Sequence, residues 1–452
     1  MSQPRFGQRA RHSELLIGAC LAAVDPAAAV RRNLHLQDKR LLIGQVEFDL
    51  SHGRVFLVGA GKASRAMGQA AAEILGDFLS AGVLIGKRED EPAHPSTAHA
   101  RPRQSKLPGR LRLHLAGHPL PDQAGVAATS EVVEMLGRTA PDDLVLCLIS
   151  GGASALLTQP LLPLDQWQRL VDALLASGCT INEFNAVRKR MDRVKGGGLA
   201  QMAAPAACAS LILSDVVGNP LDIIGSGPTV ANPDDPALAG RILERYDVAN
   251  RLPPEDWRAI SQHLDDLGAQ EDRPALDAHN LIIGDVRQAA EAAMRAARQI
   301  GFEAHLLTAH LEGEAREVGR LAAALAKDAL PATCLILGGE TTVTLRGDGF
   351  GGRNLEVALA AALAIDGWPD RVVITFASDG DDGPTNAAGA LVTGQTIARA
   401  RQLGLDAQQH LDNNDSYPLL RATGSLIITG QTGTNVNDLI FILTYDSPAD
   451  SS

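Results

Sequence analysis

Aromatic residues and lysine are both scarce in this chain of 452 residues. Aromatic side chains make up 3% of it, and only seven of its 41 basic residues are lysines. Positive charge is not in excess either, since 53 acidic residues give a formal net charge of -12. A chain this acidic repels a phosphate backbone, which argues against bulk binding of nucleic acid. An anionic substrate would therefore need a local basic pocket.

Cysteines and long apolar runs are also lacking. Five scattered cysteines, with no Cys-x-x-Cys pair, do not form a disulfide framework and predict a reducing, cytoplasmic location. No apolar run approaches the ~20 residues that span a bilayer, so we expect no membrane partner. Arginines followed by LLIGAC resemble a lipoprotein signal ending at Cys20. However, Glu14 and Asp25 flank this short run, and the spacing of Leu16, Ala19 and Cys20 favours an amphipathic first helix.

Short apolar segments alternate with glycine-rich turns and alanine-rich helices along most of the chain. This pattern predicts a parallel-rich α/β sheet covered on both faces, which suits a composition poor in aromatics. The predicted strands lie at 54–61, 81–86, 143–150, 209–216, 280–286, 333–339 and 371–378. The polar segments 89–110 and 229–236 are predicted to be surface loops.

The length predicts two or three domains. Two polar helices near 237–268 and a segment rich in Pro and Asp near 270–279 suggest a boundary between 245 and 280. We therefore expect one domain over 1–250 and a second over 251–452.

Ligands of doubly wound sheets bind at the carboxyl ends of the strands, so the residues after each strand are candidates. The first such segment, VGAGKASRAMG (58–68), contains Gly61 and Lys62. It resembles a dinucleotide fingerprint, but Ser64 replaces the third glycine, and it also fails the P-loop pattern. A glycine turn at a helix N-terminus suits an anion, and Lys62 adds charge there. The alternative, that the glycines only allow a close approach of strand and helix, stays open.

The segment LISGGASALL (148–157) is a second candidate turn. Its order does not match the G-x-S-x-G elbow of serine hydrolases, so binding of phosphate or carboxylate is the better interpretation. The candidate donors are Ser150, Gly151, Gly152 and Ser154.

The densest basic cluster lies at 181–200 and ends in three glycines. A solvated helix face would explain the charges alone, whereas the adjoining KGGG favours an anion-binding loop. The candidate residues there are Asn185, Arg188, Lys189 and Lys195.

Carboxylates follow several other predicted strands. The strand predicted at 209–216 ends on Ser214 and Asp215, where a carboxylate is a natural Mg²⁺ ligand, although Asp215 could instead cap the next helix. Glu340 and Thr341 follow the strand at 333–339, and Asp379 follows the one at 371–378. Arg353 and Asn354 begin a predicted helix, where an arginine opposes the helix dipole and so favours a functional role. Glycine turns, lone cations and carboxylates together are the set that phosphoryl transfer needs.

Taken in order, these segments resemble the type-2 glycerate kinases with a MOFRL C-terminal domain. The resemblance covers residues from about 15 to 443 and also includes TGQTGTNVNDLIFIL (429–443). It implies two α/β/α domains, a Rossmann-like parallel sheet in the first and a mixed sheet in the second, with the active site in the cleft between them. It implies phosphorylation of D-glycerate at the 2-hydroxyl to 2-phosphoglycerate, with ATP and Mg²⁺ or another divalent ion. A homodimer stays open.

The resemblance also implies residue roles. Lys62 and Arg353 look like the catalytic cations, and Asp215 looks like a catalytic or metal-binding carboxylate, assisted by Glu340 or Asp379. The other implied contacts with substrate or phosphate are Gly61, Ser150, Gly151, Gly152, Ser154, Asn185, Arg188, Lys189, Lys195, Glu340, Thr341 and Asn354. Asn437 and Asp438 belong to a matched motif without an implied role.

Two other classes of function remain open. One is an NAD(P)H-dependent hydroxypyruvate reductase, which the glycine turn supports but Ser64 and the missing ribose carboxylate do not. The other is a sugar-phosphate sensor without catalytic activity.

Overall fold

A computed structural model describes residues 3–88, 107–268 and 276–446. Most of the predicted loop at 89–110, and residues 270–275 of the segment at 270–279, lie outside the described residues. The chain divides into two compact units, residues 26–283 and residues 1–25 with 284–452. The first helix, α1 (Gln3–Ala23), thus belongs to the same unit as the C-terminal half.

The first unit contains a small antiparallel sheet and a large sheet. After α2 (Pro26–Asn33), the small sheet is formed by β1 (Leu34–Gln37), β2 (Arg40–Ile43) and β3 (Val46–Asp49). The elements that follow are β4 (Val55–Ala60), α3 (Ser64–Leu75), β5 (Leu79–Lys87), β6 (Leu111–Ala116), α4 (Gln123–Leu136), β7 (Leu144–Ile149), α5 (Ala153–Leu156), α6 (Leu164–Ser177), α7 (Ile181–Met191), α8 (Gly198–Ala203), β8 (Ala207–Leu213), α9 (Leu238–Arg245), α10 (Pro254–Gly268) and β9 (Ala278–Gly284).

The large sheet of the first unit has the order β6-β5-β4-β7-β8-β9. The pairings from β6 to β8 are all parallel. All six residues of β4 and all six of β7 are buried, as expected for central strands covered on both faces. This order is that of a Rossmann sheet, whose direction of winding reverses between β4 and β7. The fold therefore directs a ligand to the carboxyl ends of these two strands.

The second unit has a mixed sheet. Its elements after α1 are α11 (Val286–Gln299), β10 (Glu303–Leu311), α12 (Ala315–Asp328), β11 (Thr333–Gly339), α13 (Arg353–Ala364), β12 (Arg371–Ala377), β13 (Gly389–Thr393), α14 (Thr396–Gln402), α15 (Ala407–Asp412), α16 (Ser416–Ala422), β14 (Leu426–Ile427) and β15 (Asp438–Thr444). The sheet order is β10-β11-β15-β12-β13-β14, with β15 antiparallel to both neighbours. The α/β class, the parallel-rich first sheet and the mixed second sheet are confirmed.

The unit boundaries differ from the expected domains 1–250 and 251–452. The first unit extends to residue 283 because the segment at 278–284 forms β9, which is paired in its large sheet. Residues 1–25 join the second unit because α1 packs against α11. Leu16 and Cys20 are buried there, and the Cys20 thiol donates to the carbonyl of Ala289 at 3.3 Å.

The expected helix at the N-terminus is present, and the five cysteines are free thiols. Among the described residues, no single helix is both long and apolar enough to cross a membrane. The first two helices reach that length and apolarity only when they are counted together as a bent pair.

Two helical glycines give a matched test of the packing in this fold. A β-carbon at Gly319 on α12 would lie 2.4 Å from the carbonyl oxygen of Val357 on α13, whereas one at Gly240 on α9 would meet nothing within 4 Å. We expect Gly319→Ala to lower the free energy of unfolding by about 1–3 kcal/mol through overpacking. Gly240→Ala should raise it by up to about 1 kcal/mol through helix propensity. Urea titrations would measure both, and equal effects of the two substitutions would contradict the close α12–α13 packing.

Candidate functional site

The turns after β4 and β7 are hydrogen-bonded to each other at the point where the sheet reverses direction. The amide of Lys62 donates to the carbonyl of Gly151 at 2.8 Å, and the amide of Ala63 donates to Ser150 Oγ at 3.1 Å. Ser150 in turn donates its amide to the carbonyl of Ala60 at 3.0 Å. Gly61, at φ +122°, allows this contact, because a β-carbon there would lie 2.2 Å from Ser150 Oγ.

The amides left free for a ligand are those of the second turn. The amides from Gly61 to Ser64 all donate within the chain, so the first glycine turn is not the open anion nest that its sequence suggested. The amides of Gly151 and Gly152, in contrast, donate to no group among the described residues. Ser150 is buried and its hydroxyl is used in joining the turns. The side chain of Lys62 is exposed at this edge of the sheet.

His118 is a residue at this edge that the sequence did not single out. It follows β6, is half-buried, and a β-carbon at Gly152 would lie 3.2 Å from its Nε2 atom. Burial, together with the positive charges of Lys62 and Lys87, lowers the pKa of His118 to about 4. The imidazole is therefore neutral at physiological pH. The position of His118 after a strand could have identified it from the sequence, but this strand, β6, was not among the predicted ones.

Three of the predicted polar residues lie along one chain of contacts in the first unit. Ser226 Oγ lies 3.1 Å from Ser154 Oγ and 3.3 Å from Asn185 Oδ1. The Arg188 guanidinium lies 3.5 Å from Asn185 Oδ1 and 4.2 Å from the ring centre of Phe184. Ser226, which the sequence did not single out within its Gly-Ser-Gly turn, thus connects the turn after β7 with α7.

Arg188 is suited to bind an anion. Burial lowers its pKa to about 10, and no carboxylate of the described residues lies within ion-pair distance of its guanidinium. The negative charge of Asp192 offsets this desolvation only in part, and a bound anion would stabilise the guanidinium further.

Lys189 and Lys195 have different surroundings from those expected of anion-binding residues. The ammonium of Lys189 lies 3.0 Å from both Asp222 and Asp234. Lys195 is buried and donates to the carbonyls of Ser154 and Leu157, each at 2.8 Å. Burial lowers the pKa of Lys195 to about 8. These contacts favour a structural role for both lysines.

Asp438 is the central carboxylate of the second unit. It begins β15, paired with Gly339 of β11 and Ala377 of β12, so it lies beside the ends of both strands. Arg353 forms two hydrogen bonds with it and also lies 2.8 Å from Glu340. Burial raises the pKa of Asp438, and Arg353 opposes this shift. Burial would lower the pKa of Arg353, but Asp438 and Glu340 outweigh it and raise that pKa.

Asp382 occupies the N-terminus of α13. Its carboxylate accepts the amides of Asn354 at 3.0 Å and Leu355 at 2.8 Å. Asn354 also donates its side-chain amide to Asp382, so it serves the helix cap rather than an open phosphate site. Thr341 and Asn437 are buried, and Asn437 has a left-handed backbone with φ +68°.

The described residues contain no group of three carboxylate, His or Cys side chains that could hold a metal ion. Asp215 is half-buried directly after Ser214 at the end of β8. Asp379 follows β12, and its negative charge helps to raise the pKa of Asp438. Mg²⁺ that arrives with nucleotide phosphates needs only one or two carboxylates, so a single one such as Asp215 fits this mode of binding.

Family models match both halves of the chain. Residues 12–261 match a domain of unknown function (DUF4147), and residues 333–438 match the MOFRL family. The fold and these matches define the class, an α/β protein that joins a Rossmann-type unit to a MOFRL-type unit.

Curated relatives identify the family. A D-glycerate 2-kinase of Thermotoga maritima is 39% identical over 86% of this chain and 91% of its own length. A glycerate 2-kinase of Pyrococcus horikoshii is 36% identical over 95% of this chain and 96% of its own. Two relatives from Agrobacterium vitis, at 37% and 39%, are named only provisionally as hydroxypyruvate reductases.

Solved structures support the same family as the curated relatives. The crystal structure of a glycerate kinase from Thermotoga maritima aligns with a TM-score of 0.82 at 36% identity, over 96% of this chain and 99% of that one. A structure from Pyrococcus horikoshii aligns with a TM-score of 0.80 at 34% identity, over 97% and 98%. The chain belongs to the type-2 glycerate kinase family, as its motifs predicted.

The carboxyl of Asp382 predicts a measurable dependence of stability on pH. Burial raises its pKa to about 6 in the folded protein, against about 3.9 when unfolded. The folded state therefore binds this proton first as pH falls, and the wild type should gain stability relative to Asp382→Asn by about 1 kcal/mol between pH 7 and pH 5. Asp438, whose pKa burial also raises, is present in both the wild type and the Asp382→Asn variant. Urea titrations at several pH values would measure this difference, and a constant difference would contradict the raised pKa.

Proposed function

We propose that this chain is a glycerate 2-kinase that transfers the γ-phosphoryl group of ATP to the 2-hydroxyl of D-glycerate. The reaction gives 2-phosphoglycerate and ADP. Relatives named glycerate 2-kinase at 36–39% identity over most of the chain support this activity. The observation that carries the proposal is the position of Lys62 and the free amides of Gly151 and Gly152 where the sheet reverses direction.

The donors at this edge suit charge on phosphoryl oxygens. Exposed Lys62 supplies an ammonium group, while the amides of Gly151 and Gly152 are fixed by the hydrogen bonds between the two turns. Donors that are already oriented stabilise developing charge without reorganising, which is the main requirement of phosphoryl transfer. Mg²⁺ bound with the nucleotide would neutralise phosphate charge, and Asp215, which follows the end of β8, is a carboxylate that would hold it.

Arg188 is suited to the carboxylate of D-glycerate, since a guanidinium pairs with a carboxylate through two parallel hydrogen bonds. Asn185 and Ser226 lie beside it and offer hydrogen bonds to hydroxyl groups. Arg353 is held by Asp438 and Glu340, and its side chain stays partly exposed. That Arg353 and Lys62 serve one reaction stays a prediction, as does the cytoplasmic location.

A coupled assay tests the activity. Purified protein incubated with ATP, MgCl₂ and D-glycerate should form 2-phosphoglycerate, which enolase converts directly, without a mutase. Incubation with NADH and hydroxypyruvate should give no steady oxidation. Formation of 3-phosphoglycerate alone would overturn the regiochemistry, and steady NADH oxidation without kinase activity would favour the reductase.

Lys62 should be essential to turnover. Lys62→Ala removes the ammonium at the end of β4, and we expect kcat to fall by about 10²–10³ because charge on the transferred group is then less stabilised. The matched control is Lys39→Ala, in the exposed turn between β1 and β2. Both variants should unfold at the wild-type urea concentration. Near-normal turnover of Lys62→Ala would refute the assigned role.

A further inference from the structure

Two residues that no role described above uses lie at the ends of β5 and β6. Lys87 is the last residue of β5 and is paired with Ala116, the last residue of β6, and His118 follows two positions later. In the strand order, β5 lies directly beside β4, which leads to Lys62, and β6 lies on the other side of β5. The positive charges of Lys62 and Lys87 both lower the pKa of His118. Four adjacent strand ends thus present Lys62, Lys87, His118 and the free amides after β7.

Neither side chain has its polar group satisfied by the described residues. Lys87 is half-buried, and no carboxylate of the described residues pairs with its ammonium. Its neighbour Arg88, in contrast, lies 3.1 Å from Asp122. The imidazole nitrogens of His118 form no hydrogen bond with any described group.

The chain nevertheless holds the His118 loop in place from both ends. Arg88 donates its amide to the carbonyl of Ala116 at 2.8 Å, where the loop begins. Asp122, where the loop ends, accepts the amide of Gly125 at 2.9 Å and caps α4. A fixed loop whose imidazole contacts no polar group of the described residues, next to an ammonium that pairs with no carboxylate among them, is the arrangement of a ligand site.

We propose that Lys87 and His118 contact the anionic group of a ligand held at the amides of Gly151 and Gly152. The ligand class is a phosphate or carboxylate, since two ammonium groups and two free amides all favour anionic oxygens. Lys87 supplies charge, and neutral His118 donates one N–H to an anionic oxygen. This inference deepens the proposed function, because both of its substrates carry such a group.

The position of His118 explains why a neutral donor suits this place. A third positive charge beside Lys62 and Lys87 would be repelled, whereas a neutral imidazole adds a directional hydrogen bond without adding charge. Its distance from Gly152 also places it next to one of the free amides, so a single oxygen could accept from both.

Isothermal titration calorimetry of the full chain tests the proposal without relying on turnover. MgATP and D-glycerate are titrated separately into the wild type, Lys87→Met, His118→Leu and His118→Asn. The matched controls are Lys39→Met and His114→Leu. His114 lies on β6 itself, where its Nε2 is 2.9 Å from Glu131 on α4. Urea titrations confirm that each variant is folded, and His118→Asn retains a donor if the leucine variant does not fold.

We expect Lys87→Met and His118→Leu each to weaken binding of one of the two ligands about tenfold, and His118→Asn to stay within about threefold of the wild type. The ligand that is weakened identifies the source of the anion. Affinities within twofold of the wild type for both ligands would overturn the proposal, as would equal losses in the controls. A failure of the proposed function would differ, since these affinity changes would persist while no 2-phosphoglycerate formed.

Discussion

The contact between the turns after β4 and β7 is the constraint on which the site in the first unit depends. Two strands that are adjacent in the sheet but distant in sequence must end at the same level, with Ala60 to Ala63 hydrogen-bonded to Ser150 and Gly151. The contact is possible only because residue 61 has no side chain. It uses the amides of the first turn and leaves those of Gly151 and Gly152 for a ligand. This one contact therefore determines which backbone amides hold the two turns together and which are left for a ligand.

The two units differ in whether their cationic side chains are paired with carboxylates. In the first unit, Arg188 and Lys87 have no carboxylate partner among the described residues, which leaves positive charge available to an anion. In the second, Arg353 is paired with Asp438 and Glu340, and the N-terminus of α13 is capped by Asp382. A half-buried cation that no described carboxylate contacts can bind an anion, whereas a cation paired with carboxylates fixes the local geometry. This difference supports the proposal that the substrate anions bind to the first unit.

Much of the fold could be predicted from the sequence because the central strands are continuous apolar runs bounded by Gly, Ser or Asp. The seven predicted strands are all present. The strand β6 was not predicted, because LRLHLA alternates polar and apolar residues and follows a long polar segment. The domain boundary differed because neither the packing of α1 on α11 nor the pairing of the segment at 278–284 can be read from local composition.

The candidate site was predictable in its residue types but not in its hydrogen bonds. The motif at 148–157 indicated a donor-rich turn, yet the sequence could not show that the Ser150 hydroxyl is used internally while two glycine amides bond to no described group. The cluster at 181–200 did not distinguish Arg188, which contacts no carboxylate among the described residues, from Lys189 and Lys195, which have partners. His118 and Ser226 depend on contacts between segments far apart in the chain.

A crystal structure of this chain with D-glycerate and a non-hydrolysable ATP analogue would test the central claim most directly. We expect a phosphate or carboxylate oxygen within hydrogen-bond distance of the amides of Gly151 and Gly152 and of the Lys62 ammonium. Clear density for both ligands, with no anionic oxygen near any of these groups, would contradict the claim that the carboxyl ends of β4 and β7 hold the reacting anion.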